Sequence, residues 1–111
     1  MPRNNTRARG LDLSIVVPLF NESGTFDELH RRLTAVLLVL GFASEIIYVD
    51  DGSTDGTREA LAVVAQRDPS VRVVNLARNY GQTAALAAGF DAAAGKVIVA
   101  MDGDLQHAPT T

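Results

Sequence analysis

The chain of 111 residues contains no cysteine and no tryptophan. The missing cysteines exclude a disulfide scaffold, a thiolate zinc site and a cysteine nucleophile together. Neither sign of charge is in large excess: ten Lys and Arg stand against thirteen Asp and Glu, a formal net charge of −3. Slight acidity argues against a nucleic-acid binder, which carries a basic face. Anionic phosphates stay open to backbone amides or a bound cation. Long apolar runs are also missing. The longest, Ala35 to Ala43 (AVLLVLGFA), falls well short of the ~20 residues of a membrane-spanning helix. The opening MPRNNTRARG carries Arg3, Arg7 and Arg9 but lacks the apolar core of a secretory signal. Residues 1–11 therefore read as a flexible basic tail, and the chain as cytoplasmic, with a contact at the inner face of a membrane left open.

What is present is regular alternation. Four short runs rich in β-branched residues recur: Leu13–Pro18, Glu45–Asp50, Val71–Leu76 and Lys96–Met101. Each is nearly continuous in apolar residues, the pattern of strands buried on both faces of a parallel sheet. Helical spacing fills the gaps. Phe26, Leu29, Leu33, Leu37 and Leu40 repeat every three or four residues, with Thr25-x-x-Glu28 as a capping box and Gly41 as a stop. A second helix runs from Thr57 to Gln66, with Leu61, Val64 and Ala65 inward and Asp68-Pro69 ending it. A third, Gln82 to Ala94, is mostly alanine and implies very close packing on the sheet. The series predicts an α/β fold: an open, mainly parallel sheet of about four strands flanked by helices, in a single domain over residues 12–111. No helix follows the fourth run, so the domain reads as truncated, open to an oligomer or partner that completes the sheet.

In such a sheet ligands bind beyond the carboxyl ends of the strands. The first run exits into Pro18-Leu19-Phe20-Asn21-Glu22 and the second into Asp50-Asp51-Gly52-Ser53-Thr54-Asp55-Gly56-Thr57. The third leads to Ala77-Arg78-Asn79-Tyr80-Gly81 and the fourth to Asp102-Gly103-Asp104-Leu105-Gln106-His107. Parallel strands put these segments on one rim, so Glu22, Asp50, Asp51, Asp102 and Asp104 are expected to converge in one crevice. Gathered like charges call for a cation or for hydrogen-bond donors. Asp102-Gly103-Asp104 is the candidate metal site, and its hard oxygen donors favour Mg²⁺ or Mn²⁺. Asp50 and Asp51 can accept hydrogen bonds from a nucleobase or ribose, while Thr54 or Asp55 caps the second helix. Arg78, the one cation of these segments, suits a base, a phosphate or a plain surface salt bridge. No G-x-G-x-x-G follows the first run and no G-x-x-x-x-G-K-[ST] occurs, which removes the dinucleotide-binding and P-loop readings.

The segments SIVVPLFNE, IIYVDDGSTDGT, LARNYGQTAALAAGF and VIVAMDGDLQHAP, in that order over Leu13 to Pro109, resemble the start of family 2 glycosyltransferases. Within that family they look most like the polyprenyl-phosphate branch, which includes dolichol-phosphate mannose synthase and undecaprenyl-phosphate glycosyltransferases. The resemblance implies a Rossmann-like GT-A nucleotide-binding half and a sugar donor that is a UDP- or GDP-sugar. Pro18, Asn21 and Glu22 would line the nucleotide pocket, with Glu22 near the ribose or base. Asp51, and Asp50 beside it, would hold the base edge, and Arg78 and Gly81 would sit near the nucleotide and its diphosphate. Asp102, Asp104 and Gln106 would coordinate a divalent cation bridging that diphosphate, which makes Asp102 and Asp104 the candidate catalytic pair. Gly103 stands where alanine is common in the branch. The implied reaction is an inverting displacement by a lipid phosphate. A truncated, inert α/β module that at most binds nucleotide is the alternative reading.

Overall fold

The structure, a computed structural model, describes residues 10–103. Seven elements alternate within them: β1 (Leu13–Leu19), α1 (Phe26–Leu40), β2 (Ser44–Asp50), α2 (Thr57–Arg67), β3 (Val71–Asn75), α3 (Gln82–Ala92) and β4 (Val97–Ala100). All three strand pairings are parallel, in the order β3-β2-β1-β4. The chain thus builds outward from β1 to β3 and then returns to lay β4 on the other side of β1. This reversal is the switch point, where an open α/β sheet leaves a crevice at its carboxyl edge.

Strand periodicity divides the core in two. Ile15, Val17, Leu19, Ile46 and Tyr48 face α1 and α2, where Phe26, Leu29, Leu33 and Leu61 complete one buried cluster. Val16, Ile47 and Val49 face the other way and pack against Ala85 of α3. Small residues bring α3 close: a β-carbon on Gly89 would lie 2.3 Å from Val16 Cγ1 and 3.1 Å from Val49 Cγ2. This agrees with the close approach that the alanines of this helix imply.

Several local expectations need correction. Thr25 takes the N-cap position of α1 but makes no capping hydrogen bond; its hydroxyl donates to Glu22 Oε1 at 2.9 Å. Glu28 turns instead to Arg31 and Arg32, accepting from them at 2.6 and 2.7 Å. The Thr25 N–H that a capping box would serve already donates to the Glu22 carbonyl at 3.1 Å. Gly41 does end α1, with φ at 75° and its N–H donating to the Leu37 carbonyl. Leu40 lies half exposed rather than inward. At the sheet's edge β4 is exposed along its length, with Val97 at 57% and Ile98 and Val99 at 42%. Burial on both faces holds for β1 and β2 and fails for both edge strands: β4, and β3, where only Val71 is buried and Arg72 and Asn75 are exposed.

Polar groups lock the lower rim. Ser14 Oγ donates to the buried Glu45 Oε2 at 2.6 Å, and the Ala94 N–H donates to the same oxygen at 2.8 Å. The Gly95 N–H donates to Ser14 Oγ at 2.8 Å. The turn before β4 is thereby fastened to the starts of β1 and β2. No helix of the described residues is long and apolar enough to cross a membrane.

Between α1 and β2, His30 Nδ1 lies 2.7 Å from Tyr48 Oη, with the Phe26 ring edge-on to Tyr48. Burial raises the Tyr48 hydroxyl well above the usual range, so it keeps its proton in this hydrogen bond, whose direction follows the His30 tautomer. Burial lowers the His30 pKa, against an opposing pull from Asp68 and Asp27. The unfolded chain, with its histidine near 6.5, then binds a proton more readily than the folded one. His30's contribution to stability is complete above that value and is lost as the pH falls below it. Urea midpoints measured between about pH 7 and pH 5 are expected to fall more steeply for wild type than for His30→Gln. Identical slopes would show that His30 titrates freely.

Candidate functional site

At the end of β2 two adjacent carboxylates part company. Residues one step apart on a strand point to opposite faces, and Asp50 follows Tyr48 toward α2 while Asp51 follows Val49 toward α3. Asp50 is fully buried. Its Oδ2 accepts from Arg58 Nε and Nη2 at 3.2 and 3.0 Å and from the Ser53 N–H at 3.2 Å. Asp51 reaches into the segment between β3 and α3. Its Oδ1 accepts the Tyr80 N–H at 2.8 Å, and Oδ2 accepts the Gly81 N–H at 3.0 Å and Asn79 Nδ2 at 3.2 Å.

Beside Asp51, Gly52 makes this approach possible. Its φ is 79°, and a β-carbon there would lie 2.3 Å from Asn79 N and 2.4 Å from the Arg78 carbonyl carbon. Backbone touches backbone. Only glycine meets both the left-handed conformation and the contact.

The β1–α1 and β2–α2 loops brace each other through a run of hydrogen bonds. Asn21, the one non-glycine residue at positive φ among the described residues (54°), donates its N–H to Ser53 Oγ at 2.8 Å. Its side-chain Oδ1 accepts the Thr54 N–H at 2.8 Å. The Glu22 N–H donates to Thr57 Oγ1 at 2.9 Å, and the Ser23 N–H to Asp55 Oδ2 at 3.1 Å. Asp55 Oδ1 also accepts the Thr57 hydroxyl and N–H, at 2.6 and 3.0 Å, and so serves the start of α2. The Thr57 hydroxyl, with backbone amides behind it, holds the Asp55 carboxyl well below its usual range. The expectation that Asp55 or Thr54 caps this helix is not met: the N-cap is Gly56, with φ at 106° and no side-chain cap, and Asp55 serves Thr57 from one residue before it.

These braces surround a cleft of about 320 Å³ at the switch point, lined by Pro18, Leu19, Phe20, Glu22, Asp51, Asn79, Gly81, Gln82 and Asp102. Of the residues singled out in the sequence, Pro18, Glu22, Asp51, Gly81 and Asp102 are brought together here. Asn21 is spent on the loop brace and does not line the cleft. Nor does Arg78, which lies 5.0 Å from the Tyr80 ring centroid in a cation–π contact outside it. The expected convergence of carboxylates on one crevice fails for Asp50, because strand alternation sends it through the sheet to Arg58. Asp104, Gln106 and His107 lie outside the described residues. Arg58, Asn79 and Gln82 were missed. Asn79 and Gln82 flank the Tyr80-Gly81 turn and were legible as strand-exit polar residues, whereas nothing in the sequence distinguishes Arg58 from a solvated helix arginine.

A metal is not held by the described residues alone: no group of three or more His, Cys, Asp or Glu among them could hold one. The donor chemistry nonetheless fits a hard cation, since Asp102 lines the cleft beside carboxylates and without sulfur or imidazole. Gly103 is buried behind it, and a β-carbon there would lie 2.8 Å from the Pro18 carbonyl oxygen and 2.4 Å from Leu19 Cδ2. An alanine at this position would force a shift in the cleft wall.

Residues 14–111 match the family described as Glycosyl transferase family 2. The chain belongs to that family. Among its relatives is the dodecaprenyl-phosphate galacturonate synthase of Rhizobium johnstonii, 45% identical over 95% of this chain and 31% of the relative. The undecaprenyl-phosphate 4-deoxy-4-formamido-L-arabinose transferase of Pseudomonas aeruginosa is 48% identical over 87% of this chain and 29% of its own length. The chain therefore spans less than a third of the relatives it matches. The GT-A fold is shared with solved glycosyltransferases. The mannosyltransferase PcManGT from Pyrobaculum calidifontis, in complex with GDP-Man and Mn²⁺, superposes with a TM-score of 0.71 at 25% identity, over 83% of this chain and 27% of that one. TarS 1-349 of S. aureus in complex with UDP-GlcNAc gives a TM-score of 0.68 at 25% identity, over 85% and 27%.

Within this family 2 chain the Asp51–Gly52 corner has no room for added volume. Gly52→Ala is expected to lower stability by about 2–4 kcal/mol, from left-handed strain plus the backbone overlap. Urea denaturation checks this; a change below about 0.5 kcal/mol would mean that the two loops are not in contact.

Proposed function

We propose that this chain is the donor-binding part of a glycosyltransferase that moves a sugar from a nucleoside-diphosphate sugar to a polyprenyl phosphate. The reading is carried by the meeting of Glu22, Asp51 and Asp102 around one cleft at the strand exits. The names of the relatives support the acceptor class, and the GDP-Man and UDP-GlcNAc held by the structural neighbours support the donor class.

Each wall has a chemical part to play. Glu22 presents a carboxylate suited to ribose hydroxyls or to the N–H edge of a base. Asp51 already accepts three hydrogen bonds, so it has room for about one more and serves mainly to hold the 79–81 wall in register. Gln82 opens α3 at the cleft, where first-turn amides and the helix dipole favour a diphosphate. Asp102, with Asp104 and Gln106, would hold Mg²⁺ or Mn²⁺, which as a Lewis acid stabilises a departing diphosphate. A lipid phosphate is already anionic, so this chain need supply no strong general base, and direct displacement inverts the anomeric centre. Such an acceptor puts the reaction at a membrane surface, in the cytoplasm on this reading.

Calorimetric titration of the folded chain with UDP and with GDP, with and without Mn²⁺, tests the assignment. Binding of one nucleotide that strengthens with Mn²⁺ is expected; binding of neither overturns the reading. Asp104→Asn is expected to weaken Mn²⁺-dependent binding about tenfold or more, with little effect on metal-free binding. Equal losses in both would remove Asp104 from the ligand set.

A further inference from the structure

Arg58 lies on the far side of the sheet from the cleft, yet it connects three of the elements that build it. From the first turn of α2, its Nε and Nη2 donate to Asp50 Oδ2, the oxygen that also accepts the Ser53 N–H. Its Nη2 donates as well to the Leu76 carbonyl at 2.8 Å. The Leu76 N–H in turn donates to the Asp50 carbonyl at 2.9 Å. One guanidinium therefore fastens the exits of β2 and β3 together and to α2. A planar fork holds two acceptors in one fixed geometry, where lysine offers rotatable donors on a flexible stem.

What leaves these two exits is the cleft wall. Two residues beyond Leu76 the chain crosses Gly52 in backbone contact and then presents Asn79 and Gly81 to the cleft. On the opposite face Asp51 grips the same wall through the Tyr80 and Gly81 amides. Ser53, held by Asp50, receives Asn21 and so reaches the loop that carries Glu22. The wall is thus held from both faces of the sheet, and at Gly52 the two backbones pass too closely for even a β-carbon between them. The Asp50 carboxylate has 0% exposure while Arg58 is 42% exposed, so exchanging the arginine leaves no cavity, but Arg58→Gln strips a buried carboxylate of its charge partner and only Arg58→Lys keeps one.

We propose that Arg58, acting through Asp50 and the Leu76 carbonyl, is a positioning residue that sets the geometry of the donor cleft. This rests on the donor-binding reading for its functional consequence, but its structural content is separable. A merely structural ion pair would raise or lower the stability of the whole sheet together. A positioning residue acts on the wall first.

The test is amide hydrogen exchange by NMR on the full 111-residue chain, wild type against Arg58→Gln and Arg58→Lys, paired with UDP and GDP titrations in Mn²⁺. In Arg58→Gln the Ser53, Tyr80 and Gly81 amides are expected to exchange about tenfold faster, beyond any acceleration shared with the core amides of Ile47 and Val49. Arg58→Lys keeps a charge beside Asp50 and guards against loss of the fold. It should retain the core protection and still loosen Tyr80 and Gly81. Nucleotide affinity should fall about tenfold in both variants, in step with the wall amides. Uniform acceleration, or unchanged Tyr80 and Gly81 amides, overturns the proposal. Should wild type bind neither nucleotide, the donor-binding reading fails, and the exchange pattern still decides whether Arg58 positions the wall.

Discussion

The turn from Asp50 to Asp51 is the step on which the rest of the site depends. Alternation along β2 puts these neighbouring carboxylates on opposite faces of the sheet. Each then meets donors of a different kind: the Arg58 guanidinium on the α2 face, and the amides of the 79–81 segment on the α3 face. Had both pointed into the cleft, two adjacent charges would have faced each other with little to neutralise them. Separated by the sheet, they become two anchors for one wall. Gly52 follows directly, because the chain returning from β3 must pass within backbone contact of it.

Around that corner the acidic motifs are largely occupied with each other. Asn21, Ser53, Thr54, Asp55 and Thr57 spend their polar atoms joining the β1–α1 loop to the β2–α2 loop. Glu22 and Asp102 are the carboxylates that these braces leave lining the cleft beside the fastened Asp51. A site assembled from four loops needs such bracing, since small displacements of binding groups cost affinity and rate steeply. The division between braces and cleft-lining groups is a division of labour within the same short motifs.

Much of the fold was legible because its signals are strong and local. Continuous β-branched runs marked four strands, of which β1 and β2 are buried on both faces, and the alanines of α3 foretold an approach close enough that Gly89 sits against Val16. The carboxyl rim followed from parallel topology alone. Three things were not legible, each for a physical reason. Composition in Val97–Ala100 resembles a central strand, but its place at the edge depends on strand order, which short-range pattern does not encode. The sides taken by Asp50 and Asp51 depend on where β2 ends, and a one-residue slip would exchange them. Arg58 looks like any surface arginine of an amphipathic helix until the Leu76 carbonyl, eighteen residues away, is brought beside it.

On the donor-binding proposal, nucleoside diphosphate enters between the β1 and β4 exits, against the wall held by Asp51. Amide chemical-shift mapping of the ¹⁵N-labelled chain with UDP or GDP and Mg²⁺ tests it most directly. Shifts are expected to be confined to the amides of Leu19–Glu22, Asp51–Ser53, Asn79–Gln82 and Asp102–Gly103, with the lower rim at Ser14, Glu45 and Gly95 unmoved. Shifts centred on that lower rim or on the outer face of α1, with the cleft amides unchanged, would contradict it.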